Sequence, residues 1–224
     1  MAMHFSNEMS RLHRDIVAMC SKVEELINDA VRGLRNRSST LAAELVIRDQ
    51  EVNQLDVQIE EECLKILALY HPVANDLRRV AVVLKIIGEL ERVGDLAVNI
   101  AERSMGIAPY PDFMLPDRLD EMASESLSML HSSIDAYLEL DTEKAREVCK
   151  ADDGVDSLNV ELLNELRAQM SADPSLVEPG MHLFSCIRHI ERVADHATNI
   201  AEDVVYMIEG EIIRHPHLRD SESE

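Results

Sequence analysis

Two pairs of carboxylates carry the chemistry open to this sequence: Glu91 with Asp95, and Glu191 with Asp195. Residues four apart share one helix face, so each pair sets two acids side by side. Upstream of each lies a second polar pair at the same spacing, Asp49 with Asn53 and Asp152 with Asp156. Facing pairs on two antiparallel helices would put four oxygen side chains around one point. Such a shell suits hard cations (Mg²⁺, Mn²⁺ or iron) and not a soft-metal thiolate site.

Whether those faces are wet decides what the acids do. At about 100° per residue, Glu91, Asp95 and Glu102 fall within roughly 40° of Leu77, Val80, Leu84, Ile87 and Val98. Arg78, Lys85, Glu89, Arg92 and Arg103 cluster elsewhere, which predicts that they form the solvent face. Phe184 and Ile187 precede Glu191 and Asp195 in the same way. A carboxylate leaning inward must be compensated, because desolvating it unpaired costs several kcal/mol. Two compensations are open: ion pairs with Arg92, Arg192 or a base from another helix, or a cation held between helices.

Other chemistry has less support. His189 and His196 flank the second acidic pair, but Glu89 and Leu96 replace them in the first, so they read as local decoration. The Glu-x-x-His ligand arrangement of di-iron bundles occurs only at Glu178–His182, away from both pairs. That absence argues against an oxidase or a metal store. No Gly-rich phosphate loop, GxSxG or HExxH is present. The cysteines (Cys20, Cys63, Cys149, Cys186) form no CxxC and read as reduced core residues.

The elements that must position these acids are helices. Apolar residues recur every three or four positions and strict alternation is absent. Gly and Pro number only 7 each, and aromatic residues make up 3%. Six helices are predicted. The first spans about Ser6–Leu34. The second, capped by Ser38 or Ser39, reaches about Leu69, where His71-Pro72 stops it. The third ends near Met105. GIAPYPDFMLP, residues 106–116, is the one substantial break. The fourth helix ends near Leu140, Asp141 caps a fifth reaching about Met170, and SADPS turns into a sixth ending near Ile213. A first repeat over 1–105, a linker over 106–116, a second repeat over 117–214 and a frayed tail over 215–224 follow.

The two halves are related. ELERVGDLAVNIAE (Glu89–Glu102) matches HIERVADHATNIAE (His189–Glu202) at nine of fourteen positions, offset by 100. RDQEVNQLDV (Arg48–Val57) matches ADDGVDSLNV (Ala151–Val160) more weakly, offset by 103. The duplication therefore copied acidic positions as well as apolar pattern. With 43 acidic against 22 basic residues, the formal charge is −21, which disfavours nucleic acid and anionic lipid as partners. Neither a basic-then-apolar leader nor a bilayer-length apolar run is visible, so a cytoplasmic location without membrane insertion is expected.

The doubled motif at Leu90–Asp95 and Ile190–Asp195, each followed by Asn-Ile-Ala-Glu, resembles the signature of the PhoU family. IEEECLKILA (Ile59–Ala68) and PVANDLR (Pro72–Arg78) extend the likeness, which covers Phe5 to about Arg214. The resemblance implies an all-α fold of two tandem pseudo-symmetric three-helix bundles, often a homodimer. It also implies metal clusters at E(D)-x-x-x-D motifs, carried onto Asp49, Asn53, Glu91 and Asp95, and onto Asp152, Asp156, Glu191 and Asp195. Asn53 departs from the acidic pattern, which implies weaker or different binding at the first cluster. Family members act without enzymatic activity as negative regulators between the Pst phosphate transporter, through its ATPase PstB, and the sensor kinase PhoR. Service to another phosphate transporter is an alternative role.

Overall fold

A computed structural model describes residues 2–38 and 40–213, and every regular element among them is helical. The chain runs through α1 (Ala2–Arg35), α2 (Leu41–Tyr70), α3 (Ala74–Ile107), α4 (Leu119–Glu139), α5 (Thr142–Ala172), a 3₁₀ turn (Pro174–Leu176) and α6 (Val177–Glu209). The first three helices pack together, as do the last three. α3 on α6 joins the two bundles, with α1 touching α4 beside it.

The joint is antiparallel at near-constant register. Lys85 pairs with Asp203, Asn199 donates to Glu89, and the Cys186 thiol faces the Ile100 carbonyl at 3.9 Å. That register centres the crossing near Gly94 and Ala194, equivalent positions of the two repeats. α3 and α6 each touch three other long helices. Their apolar residues consequently exceed one stripe: Val80, Val83, Ile87, Leu90, Val93 and Ile100 are all buried on α3. This corrects the expected solvent face of the third helix in part. Lys85, Arg92 and Arg103 are exposed as expected, but Glu89 and Arg78 are half buried, and Lys85 and Arg78 also reach α6.

Helix ends follow local chemistry. His71, left-handed at φ 46°, closes α2 before Pro72. The Asp141 carboxylate accepts the amide protons of Glu143 and Lys144, as its predicted capping role requires. Gly210, at φ 77°, ends α6 earlier than Ile213. The expected cap of α2 is corrected. Thr40 occupies that position without a side-chain bond, and Ser39 lies outside the described residues. The Ser38 amide is spent on α1 instead, donating to Gly33 while Arg37 donates to Leu34. This double closure puts Arg37 in the left-handed region at φ 52°. The frayed tail expected over 215–224 also falls outside the described residues.

Arg37 has a second role. Its guanidinium donates to the carbonyls of Tyr110 (2.7 Å), Pro111 (2.8 Å) and Phe113, tying the α1–α2 turn to the inter-repeat connection. Arg37→Ala should lower stability by about 1–3 kcal/mol in urea unfolding. It should also speed chymotryptic cleavage at Tyr110 and Phe113.

Candidate functional site

The acid pairs meet across two equivalent helix contacts, α2 on α3 and α5 on α6. In the first repeat Asp49 is 8% exposed. Its Oδ2 accepts from the Asn53 amide at 3.0 Å, and its Oδ1 has no partner. Gly94 is what admits it. A Cβ at that position would lie 2.8 Å from Asp49 Oδ1, closer than packed atoms tolerate. In the second repeat the equivalent residue is Ala194, and Asp152 sits only half buried.

Burial comes first in pushing these carboxyls upward, and their neighbours add to it. Asp49 is raised by desolvation and then by Asp95, with the Asn53 amide opposing. Glu91 is raised by burial, then by Asp95 and Asp56. Asp152 is pushed up to about 6 by burial, Asp195 and Asp156. Burial and Asp195 raise Glu191, with Arg188 opposing, while burial and Asp156 raise Asp195. Members of each cluster therefore feel one another's charge across the helix contact.

Depth differs from the angular expectation. Glu191 is buried and Glu91 half buried, but Asp95, Glu102, Asp156 and Asp195 are exposed. Each cluster is thus a rim-to-interior funnel whose outer acids reach solvent. The ion-pair alternative fares poorly among the described residues. Only Glu191 has a cationic partner, Arg188 at 2.7 Å, and neither Arg92 nor Arg192 pairs with a cluster acid. No three acidic or histidine groups converge into a closed metal shell among the described residues. Unpartnered oxygens remain at Asp49 Oδ1, Asn53 Oδ1 and Glu191 Oε2. An all-oxygen donor set with unpaired buried atoms, and with Arg188 as its one paired base among the described residues, fits a hard cation.

Sequence reasoning missed Asp56. It lies seven residues after Asp49, on the same face, and its charge reaches Glu91. Its counterpart in the second repeat is Asn159, buried with a free Oδ1. The first repeat therefore reads Asp-Asn-Asp along its helix and the second Asp-Asp-Asn. Asp56 restores the carboxylate that Asn53 lacks, one turn further along. Extending the search from spacing four to spacing seven would have found it.

His196 is also corrected. It is 8% exposed and its Nδ1 lies 2.6 Å from Glu89 Oε2, which also accepts from Asn199 at 3.1 Å. These hydrogen bonds offset burial and hold Glu89 below the usual glutamate range. The signal was invisible in the repeat alignment because partners across the crossing are not equivalent positions. His196 faces Glu89, whose own equivalent is His189.

The family model described as the PhoU domain matches residues 16–104 and again 119–204. A phosphate-specific transport system accessory protein PhoU homolog of Aquifex aeolicus is 36% identical over 97% of this chain and 99% of its own length. The PhoU accessory protein of Escherichia coli K12 is 31% identical over 94% of this chain and 88% of its own. The crystal structure of PhoU from Pseudomonas aeruginosa superposes with a TM-score of 0.88 at 32% identity, covering 92% of this chain and 100% of that one. That of the phosphate transport system regulatory protein PhoU from Streptococcus pneumoniae gives 0.87 at 28% identity, covering 93% and 99%.

The raised carboxyls set a pH dependence for the metal-free protein. A carboxyl titrating higher in the folded chain binds more protons there, so stability is lost as pH rises through the folded value. For Asp152 the window runs from its ordinary 3.8 to about 6. With a chelator present, Asp152→Asn should flatten that decline. It should also stabilise the protein at neutral pH by about 1 kcal/mol, a figure already discounted for solvent screening of a half-exposed side chain. Denaturant midpoints across this pH range measure both effects.

Proposed function

The chain belongs to the PhoU family, and from that membership we propose that it is a non-enzymatic, cytoplasmic accessory regulator of phosphate uptake. In this reading it reports phosphate sufficiency between the ATPase PstB of the Pst transporter and the sensor kinase PhoR, restrains uptake, and works as a homodimer. The observation that carries the proposal is whole-chain likeness, 36% identity over 97% of the chain to a phosphate-specific transport accessory protein. That likeness includes both copies of the duplicated domain. Among the described residues no helix is long and apolar enough to cross a membrane, which suits a protein reaching the transporter through a partner.

The acid clusters give the regulator a ligand-dependent element. Asp49, Asn53, Glu91 and Asp95 would hold a hard cation between α2 and α3. Asp152, Asp156, Glu191 and Asp195 would do so between α5 and α6, with iron, Mn²⁺ or Mg²⁺ as candidates. The bound charge would neutralise mutually repelling carboxylates and draw the paired helices together. The protein's own contribution is to keep those acids unpaired. Gly94 leaves room for Asp49, and among the described residues only Arg188 approaches the second cluster closely enough for an ion pair.

Deleting the gene should derepress phosphate-starvation genes in phosphate-rich medium, and unchanged expression would overturn the regulatory reading. Elemental analysis of purified protein should find stoichiometric Mn, Fe or Mg. The folded double variant Glu91→Ala with Glu191→Ala should lose most of it, and full retention would remove these acids as ligands.

A further inference from the structure

A cavity of about 350 Å³ lies where the two repeats meet, outside both acid clusters. Met9, Leu12 and Ile16 of α1, Val83 of α3, Leu138 of α4 and Met207 of α6 build its apolar wall. The first turns of α1, which begin at Ala2 instead of Ser6, supply part of that wall. The fourth helix has only 21 residues against the 34 of α1, so the second repeat has no comparable extension.

The polar lining is unlike the rest of the molecule. In a chain of charge −21, no acidic side chain among the described residues lines this cavity. Its polar members are Ser6, Ser10, His13, Arg79 and Tyr137. Arg79 makes no ion pair or hydrogen bond among the described residues, and its charge reaches the Tyr137 hydroxyl. Tyr137 is only 7% exposed, and its hydroxyl, bonded to none of the described residues, keeps contact with solvent. Burial drives it well above the ordinary tyrosine range, so it stays a proton donor. Cys20 and Cys63, whose charges would be felt by the Tyr137 hydroxyl, are themselves pushed up to about 12 and remain neutral thiols.

Internal symmetry isolates the feature further. The residue equivalent to Arg79 is Pro179, which is buried, and the adjoining Gly180 is covered by Met170. The duplicate position is therefore filled and uncharged, whereas this one has a phenol hydroxyl and a guanidinium unpaired among the described residues over an apolar chamber.

We propose that this inter-repeat cavity is a binding site for a small amphipathic anion, an aliphatic carboxylate whose chain fills the apolar chamber while its head meets Arg79 and Tyr137. The volume admits on the order of ten methylene-sized groups and lies within the usual range for small-ligand pockets. A guanidinium and a phenol supply charge-assisted and neutral hydrogen bonds to one carboxylate. A ligand there would touch α1, α3, α4 and α6 at once, and so would bear on the angle between the repeats.

The test titrates full-length protein, labelled with ¹³C at its methionine methyls, with sodium octanoate. Met9 and Met207 should show saturable shifts at one site while methionines remote from the cavity stay still. Arg79→Gln should weaken binding about tenfold, and Tyr137→Phe by a few-fold. Ser10→Trp, at an exposed rim position, should block it without disturbing the core. Acetate, inorganic phosphate and 1-octanol should each bind at least about tenfold more weakly, lacking either chain or charge. Shifts that never saturate or that spread over all methionines would overturn the proposal. Binding indifferent to Arg79→Gln, or phosphate binding as tightly as octanoate, would do the same.

Discussion

Antiparallel contact between α3 and α6 is the constraint on which the molecule depends. Each helix serves as the third member of its own bundle and as the partner of its copy, so each must be apolar around much of its circumference. Gly94 is small on the side of α3 turned to α2, where Asp49 and Val52 approach it, and Ala97 and Ala197 are fully buried near the centre of the crossing. Polar contacts are confined to defined levels of the joint: Lys85 with Asp203, and Glu89 with His196 and Asn199. Buried polar groups of this kind cost stability when misaligned. They therefore favour one register over its neighbours.

The acids belong to the same economy of space. Each cluster lies on the side of α3 or α6 turned toward the second helix of its own bundle, away from the joint. Burial and like charge raise the pKa of most members, so the apo protein is held in a state its own electrostatics oppose. Cation binding would relieve that opposition at two points equally placed about the joint.

Much of this was readable in the chain, for identifiable reasons. Apolar spacing gave six helices, and Pro72, Asp141 and the proline-rich stretch after Gly106 marked boundaries because each acts through local backbone chemistry. The duplicated Glu-x-x-x-Asp pairs were visible because the offset is constant. What escaped depends on tertiary partners. A helical wheel assigns one inward face, but α3 has three packed sides, so Glu89 does not belong to the solvent face the wheel gives it. Asp95 leans inward on the wheel yet reaches solvent at the cluster rim. His196 looked dispensable because repeat alignment compares equivalent residues, while contacts across a pseudo-dyad join non-equivalent ones. Of the two serines open as the cap of α2, Ser38 gives its amide to the end of α1, where Arg37 is left-handed, and Thr40 takes the cap position.

The permuted Asp-Asn-Asp and Asp-Asp-Asn runs of α2 and α5 bear on how such a duplicated chain diverges. Asp56 and Asp156 occupy different turns, yet each repeat retains two carboxylates among these three positions. What is inherited is then a local field and not a particular side chain, so a position-by-position comparison of relatives would score Asn53 as a loss and Asp56 as noise. Counting charge over two helical turns would reveal the pair as a single compensated drift.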